Sequence, residues 1–194
     1  SLITELMSVN SVSSEFSAFI DALRSPNNDI RDGAEAQLDK MLNENVLNVI
    51  NQFFNIISST TEASLKSFVV VILRKVLTVN AWKKIDDNSR KQVLSFLLQL
   101  FQNEGDSRVR HNLCDVIAQV SSLEPEWPEL FPFVLSACSQ DSEVRVEGLY
   151  LLGELSTSNE SLVADHISEI VNLLQNSLQS SNLAFQVAAA RTTI

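Results

Sequence analysis

DSRVR, residues 106–110, and DSEVR, residues 141–145, are one phrase written twice, 35 residues apart. Each reads as the start of a helix. The Asp can cap, its carboxylate accepting backbone N–H donors at a helix N-terminus. The Val three residues on, Val109 or Val144, begins a buried stripe, and Arg110 or Arg145 stands one turn beyond the cap, where guanidinium and carboxylate can interact. Weaker copies run through Asn27, Ile30 and Arg31, through Glu62, Leu65 and Lys66, and through Asn182, Phe185 and Gln186. The fifth positions of these copies, 31, 66, 110, 145 and 186, are separated by 35, 44, 35 and 41 residues. Such periods mark a helical solenoid, in which a helix pair cannot bury its apolar face alone and stacks on its neighbours.

The rest of the chain fits this frame. Phe16, Phe19, Ile20 and Leu23 make one apolar stripe at helical spacing, and Ile30, Ala34, Leu38 and Met41 a second, with SPNN between them as turn and cap. The pattern recurs in the stretches 46–57 with 65–77, 93–101 with 109–120, 127–137 with 144–155, and 162–178 with 183 to the end. No segment alternates as a half-buried strand does. The expected fold is all-α: a right-handed superhelical solenoid of about five HEAT repeats, at approximately 13–43, 44–80, 87–123, 126–157 and 161–194. An ordinary helical bundle with chance registration is the alternative. The last helix stops while still apolar and without a stop signal, so residues 1–194 read as the N-terminal region of a longer array.

Composition agrees. Only 4 Gly and 4 Pro stand against 45% hydrophobic residues, which favours long helices over tight turns. A net charge of −10 repels phosphate backbones, so nucleic acid is an unsuitable partner. Basic proteins suit the charge better, although acidity can also serve only to keep a protein monomeric. Cys114 and Cys138 form no CxxC or Cys/His cluster, which fits a reducing compartment and argues against a disulfide framework or a zinc site. The opening SLITELMSVN lacks the features of a signal peptide, and SFVVVIL at 67–73 is too short to span a bilayer, so a soluble intracellular chain without membrane insertion is expected.

Catalytic chemistry has little footing. GxGxxG, P-loop, GxSxG and HExxH motifs are absent, and the histidines are His111 and His166 alone. His111, Cys114 and Asp115 superficially resemble a nucleophile cluster, but a surface histidine beside a buried helix cysteine is the simpler reading. The carboxylates of Asp29, Asp32, Glu35, Glu147 and Glu154 show no metal-ligand spacing. No catalytic residue, metal site or cofactor is expected, and the chain is not read as an enzyme.

Three stretches together resemble the N-terminal region of the importin-β (karyopherin-β) nuclear transport receptors. AEAQLDK at 34–40 resembles the family's AExxL pattern; VVVILRKVL followed by AWKK, within 69–84, resembles its second repeat; EPEWPELFPFVL at 124–135 resembles the Trp-Pro-Glu-Leu start of a fourth-repeat outer helix. The similarity runs from about Glu15 to the end, WPEL being its most specific element, and is nearest to the receptors that import ribosomal proteins and other basic cargo. Each motif also has a structural reading: Trp82 can anchor the connection to the third pair, and Pro128 suits a first helical turn while Pro132 would bend the helix one turn later.

The resemblance implies that inner, second helices bind the GTPase Ran in its GTP form, releasing basic cargo bearing a nuclear localisation signal. It also implies contact with FG nucleoporins through downstream repeats, and shuttling between cytoplasm and nucleus through the nuclear pore. Carried over to this chain, Arg74 and Lys75 fall at the family's Lys-Asn pair, Lys75 departing from the usual Asn, with Trp82 and Lys83 just beyond. Helical geometry adds Asp32, Glu35, Asn112, Asp115 and Glu147 as residues opposite the buried stripe. A HEAT-repeat scaffold for a multiprotein complex without a GTPase partner is the competing reading, since fold does not fix function.

Overall fold

The computed structural model of the protein describes residues 14–192. Among these there are helices and no strands. In chain order they are α1 (Ser14–Leu23), α2 (Asn28–Ser59), α3 (Ala63–Val76), α4 (Val79–Lys83), α5 (Asp87–Asn103), α6 (Ser107–Leu123), α7 (Leu130–Ser139), α8 (Val144–Ser158), α9 (Glu160–Asp165), α10 (Ile167–Leu178) and α11 (Leu183–Thr192). None is long and apolar enough to cross a membrane. The chain divides into two compact units, Ser1–Arg90 and Lys91–Ile194.

In the first unit α1 buries Phe16, Phe19, Ile20 and Leu23, the stripe its spacing predicts. Phe16 lies 5.8 Å from the ring of Phe53. Asn27 caps α2, its Oδ1 accepting from Asp29 N at 2.9 Å and Ile30 N at 3.4 Å. Arg31 binds Asn28 Oδ1 at 2.7 Å. The helix then breaks at Asn45, whose φ of −159° and ψ of 93° are not helical. The Asn45 side chain accepts from Asn48 N at 3.0 Å, an N-cap set inside a nominally continuous helix. Two arms result, 28–44 and 46–59, and they differ in burial. The second arm sends Val46, Val49, Ile50, Phe53, Phe54, Ile56 and Ile57 into the core, whereas the first fully buries Ala34 alone. The expected stripe on that arm is therefore corrected: Leu38 and Met41 are half-buried and Ile30 remains 50% exposed.

α3 packs against α2 through Val69, Val70, Leu73 and Val76. Glu62 stands at its N-cap position but makes no side-chain cap bond. Its carboxylate instead takes the Ser64 hydroxyl and, at 3.3 Å, the Arg24 guanidinium. Thr78 caps α4 through Ala81 N at 3.2 Å.

In the second unit Asp106 caps α6 as its phrase predicts, accepting from Arg108 N at 2.9 Å and Val109 N at 3.2 Å. Arg110 does not answer that carboxylate. It is buried, and its Nη1 donates to the backbone carbonyl of Glu104 at 2.6 Å. Gln186 does the same on α11, donating to the Ser180 carbonyl six residues back at 2.7 Å. In these two copies the fifth template position ties a helix to the turn that introduces it. The second DSxVR copy departs from this. α8 is entered through a tight turn, with Arg145 N bonded to Ser142 O and Val146 N to Glu143 O, both at 3.0 Å. Asp141 lies outside that turn and caps nothing, Val144 is half-buried, and Arg145 reaches Ser177 Oγ at 2.8 Å with its guanidinium 4.7 Å from the Phe185 ring.

α8 packs on α6, α7 and α11. At Gly148 the approach of α7 is so close that a Cβ would stand 2.9 Å from the Cys138 nitrogen and 3.0 Å from Ala137. No side chain fits there. Trp127 is buried just before α7, and Pro132 falls in the helix's first turn, where its missing N–H costs nothing, so it introduces no bend further along.

Candidate functional site

In the first unit the first arm of α2, the C-terminal half of α3 and α4 enclose a groove of about 550 Å³. Its lining mixes polar and apolar side chains, and three of the apolar ones, Leu38, Leu42 and Ile72, are half-buried. Glu35 and Asp39 line the α2 side, Lys75 and Lys84 the α3–α4 side. Lys84 Nζ donates to Asn43 Oδ1 at 3.4 Å across the groove. Two of the sequence-derived candidates, Glu35 and Lys75, therefore meet in one concavity. Asp32 and Arg74 are exposed on the same two helices, and Lys83 is exposed on α4.

Trp82 is the exception. It is 3% exposed, its carbonyl accepts from Arg90 Nε at 3.2 Å, and the Arg90 guanidinium lies 5.9 Å from its ring. The indole is a core anchor for the α4 connection and offers no face to a partner, which corrects its place among the contact candidates.

In the second unit three candidates converge between α6 and α8. Asp115, half-buried, accepts from the Tyr150 hydroxyl at 2.8 Å. The His111 ring stacks on Tyr150 with centroids 3.9 Å apart, and its Nδ1 lies 3.3 Å from Glu147 Oε2. Glu147 is only 8% exposed, so it serves this contact and is withdrawn from the surface. Asn112 is half-buried on α6. Burial pushes the Tyr150 hydroxyl above its usual range, and the bond to Asp115 adds to this because it favours the protonated phenol.

The thiols nearby are inert. Burial, then the carboxylates of Glu147 and Asp115, raise Cys114 well above the ordinary thiol range, and burial pushes Cys138 up to about 12. Both the raised thiol and its complete burial disfavour a nucleophilic role for Cys114, because the accessible thiolate is the reactive form. Among the described residues no cluster of His, Cys, Asp and Glu could hold a metal ion.

Tyr150 was not among the residues singled out from the sequence, yet a signal for it existed. It lies 35 residues after Asp115, one repeat period on, so both occupy the same register of successive second helices. The Glu35 and Lys75 meeting has no such signal, because it depends on how α2 and α3 pack.

A family model described as IPO5-like, TPR repeats matches residues 105–194. A probable importin-5 homolog of Dictyostelium discoideum is 25% identical over 183 residues, which cover 89% of this chain and 17% of that protein. Among solved structures, Kap121p matches with a TM-score of 0.78 at 21% identity, over 93% of this chain and 18% of its own. Kap121p bound to RanGTP matches with a TM-score of 0.75 at 21% identity, over 93% of this chain and 17% of its own. The chain thus spans under a fifth of the length of these relatives. At such identity the structural likeness establishes the fold, an all-α solenoid of HEAT repeats.

Proposed function

We propose that this chain, which belongs to the importin-β (karyopherin-β) family of nuclear transport receptors, binds Ran in its GTP form through the second helices of its helix pairs. The observation that carries the reading is the set of exposed charges on two consecutive second helices. Asp32 and Glu35 stand on the first arm of α2, and Arg74 and Lys75 on α3. Lys83 on α4 extends the set, and in the second unit Asn112 and Asp115, both half-buried on α6, are separate candidates. Kap121p, whose fold this chain shares, has been solved bound to RanGTP, which supports the assignment of partner.

The mechanism is linkage between sites, with no covalent step. Ran-GTP engages these helices, and cargo held elsewhere in the complete receptor loses affinity by the coupling free energy between the two sites. Nucleotide state is read from the GTPase, whose switch loops are ordered by its γ-phosphate, so this chain needs no nucleotide of its own. Basic cargo and FG nucleoporins are the further partners, bound by repeats beyond residue 194, and the receptor shuttles between cytoplasm and nucleus through the pore.

Calorimetric titration with Ran carrying a non-hydrolysable GTP analogue, and in parallel with Ran-GDP, tests the reading. Binding of the GTP form alone, weakened about tenfold by Arg74→Glu, is the expected result. Equal binding of both forms, or of neither, leaves a HEAT-repeat scaffold with another partner.

A further inference from the structure

The two arms of α2 are held in the first unit by unequal means. The second, 46–59, sends Val46, Val49, Ile50, Phe53, Phe54, Ile56 and Ile57 into the core, and Phe16 of α1 packs on Phe53. The first, 28–44, fully buries Ala34 alone, while Leu38, Met41 and Leu42 are half-buried and Ile30 stays exposed. Between this arm and α3 about 550 Å³ is left unfilled, so the side chains facing it lack the dispersion contacts that close packing supplies. Docking therefore offsets little of the conformational entropy lost in ordering the arm.

Local chemistry weakens the same arm and insulates its neighbours. Gly33 stands in its interior, where an added Cβ would meet nothing within 4 Å, so no close approach requires a glycine and its low helix propensity is uncompensated. An exposed tie such as Lys84 Nζ to Asn43 Oδ1 at 3.4 Å adds little, because water offers both groups an equivalent bond. At the far end, the Asn45 side chain caps the second arm by accepting from Asn48 N at 3.0 Å, so that arm keeps a partner for an end donor whether or not 28–44 is helical. At the near end, α1 is fixed by Phe16, Phe19, Ile20 and Leu23 in the core.

We propose that residues 28–44 form a conformational unit of their own, which unfolds and refolds between two fixed ends, α1 and Asn45, while the second arm and α3 stay folded. A segment tethered at both ends opens by losing its helix, not by swinging away. Because Asp32 and Glu35 lie on this unit, the folded arm presents both at helical spacing and the open arm does not. A partner that seats on the folded arm holds it closed, and its affinity is reduced according to the fraction of chains in which the arm is open. The opening belongs to the chain itself and holds whatever the partner is.

Native-state hydrogen exchange in dilute urea, on the unsubstituted chain and on Gly33→Ala, tests this. Amides of 28–44 are expected to show protection factors at least about tenfold below those of 46–59, with little response to urea because a local opening exposes little surface. Gly33→Ala adds a methyl group in open space and raises helix propensity, so the chain folds as before. It is expected to slow exchange about fivefold within 28–44 and to leave 46–59 and α3 unchanged. Equal protection in the two arms, no slowing within 28–44, or slowing that reaches 46–59 to the same degree overturns the proposal, because the arms then open as one body.

Discussion

The two DSxVR phrases share their residues and not their structures. In the first, Asp106 caps α6 and Arg110 turns back to the Glu104 carbonyl, so the phrase is closed within its own turn. In the second, Asp141 caps nothing and Arg145 turns forward to Ser177 and Phe185, tying α8 to the helices that follow. The first copy is local chemistry and the second is tertiary chemistry. Repetition in the sequence marks equivalent positions along a solenoid, while the partners at those positions depend on how closely the neighbouring helices approach.

That account of the second copy is most exposed at Gly148. If α8 is held by its close approach to α7, then Gly148→Val has no room, because backbone atoms of Ala137 and Cys138 stand where the new side chain must go. A loss of about 3 kcal/mol is expected, concentrated in the second unit. Hydrogen exchange under increasing urea checks this: amides of α7 and α8 should lose protection while those of the core arm of α2 keep theirs. Gly153 on the same helix is the control. Its added Cβ would meet only Thr192 at ordinary contact distance, so Gly153→Ala should be neutral or stabilising by up to about 1 kcal/mol. Equal effects at both glycines would show that helix geometry, not the α7 contact, governs the second copy.

For the first copy the expected effect is smaller. Asp106→Ala removes the acceptor for two backbone donors and should cost about 1 kcal/mol. Chemical denaturation of the chain reads this as a lower midpoint at unchanged slope. A loss under about 0.3 kcal/mol would mean that water replaces the carboxylate at this helix end without penalty.

The same division between local and tertiary chemistry decides what was legible in the sequence. Asn27, Asp106 and Asn182 read correctly as caps because a cap needs only donors two or three residues away. Most helix positions were legible for the same reason, since the apolar period is carried by the chain itself; the stretch read as one helix at 162–178 is instead divided at His166 into α9 and α10. The partner of Arg110 was not, for the template suggested a carboxylate and the structure uses a carbonyl. Ile30 was misjudged because a stripe at helical spacing says where a buried face can be and not how much of it a neighbour covers. In the candidate site Trp82 shows the limit: its motif marks an equivalent position, and only packing shows that the ring faces inward. Glu35 and Lys75, conversely, were legible one at a time as exposed charges, but their shared groove follows from the packing of α2 with α3 and α4.

The smallest effect is the sharpest test of the comparison, because sequence and structure disagree about its size. Read from the phrase alone, Asp141 equals Asp106 and its removal should cost about as much. In the structure Asp141 is exposed and α8 begins at Val144 through the tight turn at Ser142 and Glu143, so no backbone donor waits for its carboxylate. Asp141→Ala should therefore lie within about 0.5 kcal/mol of the unsubstituted chain, the range of an ordinary surface position. It also removes one negative charge near the α8 N-terminus, and the helix dipole then predicts a slight destabilisation that fades with added salt. Measured beside Asp106→Ala in the same buffer, a clear gap between the two supports the local and tertiary division. Equal losses of about 1 kcal/mol would mean that the second phrase caps its helix in solution as the first does.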